Sequence, residues 1–310
     1  KAWTWTIPKR WELDGGFIRT GGKKLVDAAD HHLHIVNYSN SFKGIVSHDE
    51  LMSHIYTNPK RPDAIPFQFD YYAADWGFNV PHSWLDQFNA DEYEVEIRAR
   101  FDEGSFNTLS AALPGRNKEV IILVANICHP TQANDSLTGV AVAIEIFRRL
   151  SERNHRKYSY LLLIVPETIG SIAYLSRHPE VINSSVGAIF TEMLGTDGSL
   201  VLQRSRLGNT YWDVAMEQAL VSSGQPHKIV DFLKSAANDE KVLDSPGVDI
   251  PTPSVTRYPF PEYHSSDDNF SLIDETRLRR GRDAIQLWVD FIENDYIPVL
   301  KQPGPVFLSG

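Results

Sequence analysis

The stretch EVIILVANICHPTQANDSLTGVAVAIEIFRRL, residues 119–150, decides the fold of this 310-residue chain. Its first part, residues 119–125, is almost entirely apolar, which is typical of a strand covered on both faces of a parallel sheet. From Gly139 onward apolar residues recur with helical spacing, which predicts an amphipathic helix. The turn between them is polar and contains Asn126, Cys128, His129, Asn134 and Asp135. Open α/β sheets bind ligands beyond the carboxyl ends of their strands, so we expect chemistry in this turn.

Two later segments repeat the pattern of an apolar strand followed by a polar turn. Residues 160–170, YLLLIVPETIG, place Glu167 after one strand, and residues 187–195, GAIFTEMLG, place Glu192 after another. Residues 276–293 predict a closing amphipathic helix. This alternation of strands and helices predicts an α/β fold with a doubly wound, mostly parallel sheet and helices on both faces.

Residues 12–104 have a different character. Short β-like runs, such as YEVEIRARF at 93–101, are separated by turn residues, and one short helix is predicted with Ser47 as its cap. We therefore predict a mostly β subdomain at 12–104. It would be inserted into an α/β domain formed by residues 1–11 and 105–310.

The composition excludes several classes of partner. The chain has 30 Lys and Arg residues against 40 Asp and Glu residues, a formal net charge of −10. This sign argues against nucleic acid or an anionic membrane as a partner. No apolar run approaches the roughly 20 residues that a membrane helix needs. A single cysteine excludes an internal disulfide and fits a reducing compartment, so we predict a cytoplasmic protein.

Carboxylates and imidazoles collect at the predicted carboxyl edge of the sheet. Three successive strand ends and a late proline-rich loop carry them: Asp135, Glu167, Glu192 and His264. Such a set can bind a divalent metal such as Zn²⁺. A structural role is the alternative, because acidic residues often cap the helix that follows a strand. Cys128 beside His129 is a weaker candidate nucleophile, since adjacent residues usually point apart.

Several motifs resemble a known superfamily. LPG, the apolar strand and ANDSLTGVAVAIEIFRRLSE resemble the segment that carries the bridging aspartate in the co-catalytic zinc aminopeptidases, relatives of glutamate carboxypeptidases and glutaminyl cyclases. Six motifs together resemble a bacterial group of aminopeptidase-like proteins, described only as a domain of unknown function, in which a small domain is inserted into the zinc-exopeptidase-like fold. These motifs are WTIPKRW, CHPTQANDSLTG, PETIGSIAYLSRH, SRLGNT, SPGVDIP and PEYHSSDDN. That group usually has an N-terminal helical segment and a C-terminal winged-helix domain, and neither is expected within these 310 residues.

The resemblance implies a role for each matching residue. Asp135 matches the aspartate that bridges two zinc ions, and Glu167 matches the general base that activates the metal-bound water. Glu192 matches the acidic ligand of one ion, and His264 matches the histidine ligand of the other.

Two positions depart from the superfamily pattern. Asn126 stands where the first histidine ligand is expected, and Thr168 stands where a glutamate ligand follows the general base. Each ion would keep only the bridge and one further ligand, whereas a catalytic zinc generally has three protein ligands and one open position. His129 can replace the lost histidine, or Glu167 can bind the metal directly. We therefore predict one zinc ion rather than two, or none, with these candidate ligands: His129, Asp135, Glu192 and His264.

Three functions are compatible with these residues. We favour a metal-dependent, aminopeptidase-like hydrolase of a small-molecule or short peptide amide, with Glu167 passing a proton from water to the leaving amine. In this hypothesis Glu262 and Asp268 hold the substrate's amino group, and Tyr263 forms a wall of the pocket. A cyclase or acyl-transfer enzyme with one zinc is the second, and a pseudoenzyme that only binds is the third. The sequence does not predict the oligomeric state.

Overall fold

The computed structural model describes residues 1–296, and residues 10–102 form a sheet of their own. The strands of this part are β1 (Arg10–Thr20), β2 (Lys23–Asp27), β3 (Phe42–Ser47), β4 (Ile55–Tyr56), β5 (Phe78–Asn79) and β6 (Glu92–Asp102). Four of them pair antiparallel in the order β2-β1-β6-β3, and β4 and β5 form a small parallel pair. The predicted division into a subdomain at residues 12–104, inserted into a domain of residues 1–11 and 105–310, stays a prediction.

The inserted sheet has a core of its own. Its helix, α1 (His48–Ser53), begins after Ser47, whose Oγ accepts a hydrogen bond from the backbone N–H of Glu50 at 3.2 Å. This confirms the predicted cap. Alternate residues of β6 are buried against the other strands: Tyr93, Val95 and Ile97. The period of two is that of a strand with one covered face.

A larger, seven-stranded sheet forms the rest of the chain. Its strands are β7 (Leu109–Leu113), β8 (Val120–Asn126), β9 (Ser159–Val165), β10 (Ser185–Thr191), β11 (Leu200–Gln203), β12 (His227–Val230) and β13 (Ser254–Thr256). They are arranged in the order β12-β11-β13-β10-β8-β9-β7. The pairs β8–β9, β8–β10, β10–β13 and β11–β12 are parallel, whereas β7–β9 and β11–β13 are antiparallel. The sheet is therefore mostly parallel, as predicted.

Helices cover both faces of this sheet, because both sets of alternating side chains on its central strands are apolar. The helices are α2 (Gly139–Ser151), α3 (Ile169–Arg177), α4 (Pro179–Ser184), α5 (Tyr211–Ser223), α6 (Glu240–Leu243) and α7 (Glu275–Asn294). On one face Ile121 and Leu123 of β8 pack with α2, α5 and α7, and on the other Ile122 and Val124 pack with α3 and α6. The predicted doubly wound α/β fold is confirmed.

None of the helices within residues 1–296 combines the length and the apolar character that a bilayer crossing requires.

The helix after β8 starts very close to the end of β10. A Cβ atom added at Gly139, the first residue of α2, would lie 2.1 Å from the carbonyl oxygen of Thr191 and 2.6 Å from the Cα of Glu192. Only glycine allows this approach, and it brings the turn before α2 next to the polar end of β10.

We expect Gly139→Ala to lower the free energy of unfolding by about 1–3 kcal/mol, because the added methyl group would overlap backbone atoms. Urea denaturation measures this change. The matched control is Gly281→Ala in α7, where the nearest atom is Cδ2 of Leu194 at 3.3 Å and alanine favours the helix by up to about 1 kcal/mol. Equal destabilisation by both substitutions would contradict the close packing of α2 on β10.

Candidate functional site

Three potential metal ligands converge at the carboxyl edge of the large sheet: His129, Asp135 and His264. One ligand atom of each lies within 4.8 Å of the other two. The Nε2 atoms of His129 and His264 are 3.6 Å and 3.4 Å from Oδ2 of Asp135. This oxygen is buried and has no hydrogen-bond donor among the described residues. Two imidazoles and a carboxylate form the three-ligand set of a divalent metal site with an open position.

Asp135 is held in place by another carboxylate. The backbone N–H groups of Asn134 and Asp135 donate to the two oxygens of Asp268, at 2.7 Å and 2.9 Å. Asp268 is buried, and burial raises its pKa to about 6 although these hydrogen bonds oppose the shift. Its observed contact is thus with the turn that carries Asp135. Its role in binding substrate stays a prediction.

His129 occupies a pocket that keeps its imidazole neutral. Its ring stacks on that of Phe67, with centroids 4.7 Å apart and an interplanar angle of 12°. Burial lowers its pKa to about 4, which outweighs the opposite effect of Asp135. Nδ1 lies 3.2 Å from the Sγ of Cys128, which leaves Nε2 toward Asp135. A neutral ring with one nitrogen held by a neighbour is the form that binds a metal.

Cys128 does not have the properties of a nucleophile. Its thiol meets the ring of the adjacent His129, although neighbouring residues usually point apart. Burial, together with the nearby Glu167 and Asp135 carboxylates, raises the pKa of the thiol far above its usual value. The thiolate is the reactive form of cysteine, so this environment disfavours nucleophilic catalysis.

His264 comes from a loop that pairs with the inserted part of the chain. Its carbonyl accepts a hydrogen bond from the backbone N–H of Phe67 at 2.8 Å, and the N–H of Ser266 donates to Ile65 at 2.8 Å. The ring of Tyr263 stacks on that of His264 at 3.9 Å. The inserted part therefore helps to place one of the three candidate ligands. Tyr263 lies against this ligand, and its role as a wall of the pocket stays a prediction.

Arg61, in the inserted part, forms ion pairs with carboxylates on both sides of His264 in this loop. Nη1 of Arg61 lies 3.2 Å from Oε1 of Glu262, and its Nε donates to Oδ2 of Asp267 at 2.9 Å. These carboxylates flank His264 in the chain. Glu262 is therefore engaged by Arg61, and its predicted contact with a substrate amine stays a prediction.

Glu167 follows β9 by two residues and is half-buried. The thiol of Cys128 donates to its Oε2 at 3.8 Å. Burial raises the pKa of Glu167, and Asp135 adds to this while Lys241 opposes it. A carboxylate with a raised pKa is suited to accept and return a proton near neutral pH. The predicted general base therefore lies beside Cys128, and it is close enough to Asp135 and His264 for both to affect its pKa.

Asp239 holds the turn after Glu167, and sequence analysis missed it. Its Oδ1 accepts from the backbone N–H of Thr168 at 3.0 Å and from the hydroxyl of Ser171. Thr168 has a positive φ of 61° that this contact maintains. Asp239 is fully buried, and burial raises its pKa to about 7. The run of Asn, Asp and Glu at 238–240 within a loop-rich segment was the available signal.

Glu192 is not in the group of ligand atoms that lie within 4.8 Å of one another. Nδ2 of Asn238 donates to its Oε2, while Oε1 has no partner among the described residues. It is fully buried, and burial together with Glu240 and Asp135 raises its pKa well above its usual value. Its metal role stays a prediction, because within residues 1–296 that group consists of His129, Asp135 and His264.

The two departing positions are both buried at this edge. Oδ1 of Asn126 and Oγ1 of Thr168 have no hydrogen-bond partner among residues 1–296. Buried polar atoms without partners are rare in native structures. Together with the free oxygens of Asp135 and Glu192, they mark a region that is built for a polar occupant.

We expect Arg61→Ala to raise amide hydrogen exchange in residues 262–268 about tenfold, because loss of the arginine leaves two carboxylates unpaired and lowers the local opening free energy by about 1.4 kcal/mol. Exchange followed by mass spectrometry measures this. Arg19→Ala removes an ion pair with Glu94 elsewhere on the inserted sheet, and it should leave residues 262–268 unchanged. Unaltered exchange in Arg61→Ala would show that the loop is held by other contacts.

Comparison of the sequence with known proteins identifies a matching family. Residues 1–295 match the model of a family described as a domain of unknown function (DUF4910). A Clostridium acetobutylicum protein, named as a presumed polysaccharide biosynthesis protein with an aminopeptidase-like domain, is 33% identical over 281 residues. The match covers 90% of this chain and 64% of that protein. The chain therefore spans less than two thirds of the length of that relative.

Solved structures with the same fold include peptidases. The crystal structure of a presumed peptidase from C. acetobutylicum has a TM-score of 0.88 and 32% identity, over 95% of this chain and 70% of that one. A zinc aminopeptidase from Bacillus subtilis has a TM-score of 0.71 at 13% identity, with 94% and 84% covered. A peptidase M28 precursor from Shewanella amazonensis has a TM-score of 0.69 at 10% identity, with 96% and 85% covered. At such low identities the last two show the fold alone.

Proposed function

The chain belongs to the aminopeptidase-like family described as a domain of unknown function (DUF4910), and from this membership we propose that it is a metal-dependent hydrolase of amide or peptide bonds. The observation that carries the proposal is the convergence of His129, Asp135 and His264 around a buried oxygen without a hydrogen-bond donor. The name of the C. acetobutylicum structure, a presumed peptidase at 32% identity, supports the same class of reaction.

The residues present fit one divalent ion, which we propose to be zinc. His129 has a neutral ring, Asp135 has a free oxygen, and His264 completes a set of three ligands. A second ion has less support, because asparagine and threonine stand at two expected ligand positions and Glu192 bonds to Asn238. When bound, a zinc ion polarises the amide carbonyl and makes water a better nucleophile.

Glu167 is the proposed general base. It takes the proton from the attacking water at a carboxylate oxygen and later delivers it to the leaving amine nitrogen. The Cys128 thiol orients the carboxylate by donating to Oε2, and Asp239 fixes the turn that follows. Burial raises the pKa of Glu167. Its proton affinity is therefore closer to those of the attacking water and the leaving amine, with which it exchanges the proton.

The substrate class and the setting of the protein are part of the proposal. The name of the C. acetobutylicum relative adds amides carried on saccharides to the short peptides and small amides already considered. A cytoplasmic location and the lack of a nucleic-acid or membrane partner stay predictions, based on the single cysteine and the net charge of −10.

Metal content tests the ligand set. We expect protein purified without chelator to hold about one equivalent of divalent metal by plasma mass spectrometry, and Asp135→Ala to hold almost none. His129→Ala and His264→Ala should behave like Asp135→Ala, whereas Glu192→Gln should keep its metal. A protein that takes up no zinc under any loading condition would refute the proposal and favour a pseudoenzyme. Equal loss in Glu192→Gln would refute the three-residue set.

Amide cleavage tests the role of Glu167. We expect Glu167→Gln to lower the release of arylamine from aminoacyl arylamides by about 10²–10⁴-fold while metal content is kept, because the amide cannot accept the proton. Glu180→Gln, on the exposed surface of α4, is the control. Full activity in Glu167→Gln would exclude it as the base. A cyclised product in place of a hydrolysed one would establish acyl transfer to an internal amine.

A further inference from the structure

A series of aromatic side chains runs from the candidate metal centre along the inserted part of the chain. This aromatic strip comprises Trp11, Tyr38, Phe69, Tyr71, Tyr72 and Phe101. The ring centroids of Phe69 and Tyr71 are 4.7 Å apart, and those of Tyr71 and Tyr38 are 4.9 Å apart. From Tyr38 the strip continues to Trp11 at 5.9 Å and to Phe101 at 6.1 Å. Trp11 and Phe101 pair across β1 and β6, next to where the inserted sheet joins the large domain.

Much of this strip is open to solvent. The exposed fractions are 45% for Phe69, 36% for Tyr71, 63% for Tyr72 and 36% for Phe101. Contiguous exposed aromatic groups of this size usually mark a binding surface, because leaving them in water forgoes burial of their apolar area. The seam between two parts of a fold is also a common place for a ligand site.

The inner end of the strip reaches the proposed catalytic residues. The ring of Phe69 lies 6.4 Å from that of His264. Burial raises the pKa of the Tyr71 hydroxyl, and Cys128 and Glu167 are near enough to raise it further. A molecule lying on Phe69 and Tyr71 would therefore have one end beside His264, one of the candidate metal ligands.

The backbone beneath the strip is paired along one edge. Gln68 accepts from the N–H of Asn37 at 2.9 Å, and Asp70 donates to the carbonyl of Asn37 at 2.8 Å. On the other edge the N–H of Phe67 donates to the carbonyl of His264 at 2.8 Å, whereas Phe69 makes no backbone hydrogen bond among the described residues. One residue is a short edge for strand addition by an extended peptide. A ligand on the strip is therefore held mainly by ring faces and side-chain polar groups.

Polar side chains border the rings. A cleft of about 70 Å³ beside Phe69 is lined by several groups that form hydrogen bonds: Ser39, Gln68, Asp70 and Asp75. The side-chain amide of Gln68 makes no hydrogen bond among the described residues. Tyr38, Tyr71 and Tyr72 carry phenolic hydroxyls, and that of Tyr72 donates to the carbonyl of Thr6 at 3.0 Å. The carboxylates disfavour an anionic ligand, and the polar border disfavours an aliphatic chain. A sugar ring, with an apolar face and hydroxyl groups at its edge, matches both features.

We propose that the aromatic strip is a saccharide-binding subsite that presents an amide carried on a sugar to Glu167 and the metal centre. The reaction in this proposal rests on the hydrolase proposed above. Saccharide binding itself depends only on the strip, and it is measured without turnover.

Calorimetric titration of Glu167→Gln with chitotetraose, an N-acetylglucosamine tetramer, and with cellotetraose tests the proposal. We expect at least one of the two to bind. Adding Phe69→Ala, Tyr71→Ala or Tyr72→Ala should weaken that binding about 3- to 10-fold each, through loss of a stacking face. Tyr211→Ala, an exposed aromatic residue on α5, should leave it unchanged. Circular dichroism confirms that each variant is folded.

No binding of either tetrasaccharide, or binding that the three strip variants leave intact, overturns the proposal. Strip-dependent binding of a tetrapeptide such as Ala-Phe-Ala-Phe, with no saccharide binding, overturns it in favour of a peptide subsite. Strip-dependent saccharide binding with no amide cleavage by the metal-loaded protein refutes the hydrolase and leaves the subsite. Amide cleavage with no saccharide binding refutes the subsite alone.

Discussion

The constraint on which the site depends is the buried carboxylate of Asp135, whose Oδ2 has no hydrogen-bond donor within residues 1–296. Burying a charged oxygen without a partner costs several kcal/mol in general, so a fold keeps one only where something compensates. Asp268 does not compensate for this oxygen, because it is itself an acceptor. Its two oxygens accept the backbone N–H groups of Asn134 and Asp135. The Nε2 atoms of His129 and His264 face the same oxygen at 3.6 Å and 3.4 Å. A divalent cation held by His129, Asp135 and His264 would satisfy all three groups.

Strained backbone surrounds this oxygen. Four non-glycine residues at or next to the site have positive φ, between 47° and 61°: Thr131, Thr168, Met193 and His264. Such conformations cost about 1–3 kcal/mol each and persist only where neighbouring contacts hold them. For Thr168 the contact is with the Asp239 carboxylate, and for His264 it is the pairing with Phe67. These conformations therefore lower the stability of the fold while they maintain the geometry of the site.

The segment between β4 and β5 is part of the site. It supplies Phe67, whose ring stacks on His129 and whose N–H donates to the carbonyl of His264. It also supplies Arg61, which forms ion pairs with the carboxylates on either side of His264. The ligand set therefore depends on contacts between two parts of the chain with separate cores. The inserted part also carries the aromatic strip, whose member Phe69 lies 6.4 Å from the ring of His264. In the proposed function, the inserted part of the chain both positions the ligands and contacts the substrate.

The sequence by itself determined the sheet, the helices and the strand ends that carry Asp135, Glu167 and Glu192, because apolar periodicity and strand ends are local properties of the chain. It also offered His129 as a candidate replacement for the histidine expected at Asn126, with direct metal binding by Glu167 as the alternative. Only the tertiary structure decided that His264 joins His129 and Asp135 while Glu192 bonds to Asn238. The positioning roles of Arg61, Asp239 and Asp268 were likewise decided there. Each of these depends on residues far apart in the chain meeting in space, and such contacts leave no periodic or local signal in a single sequence.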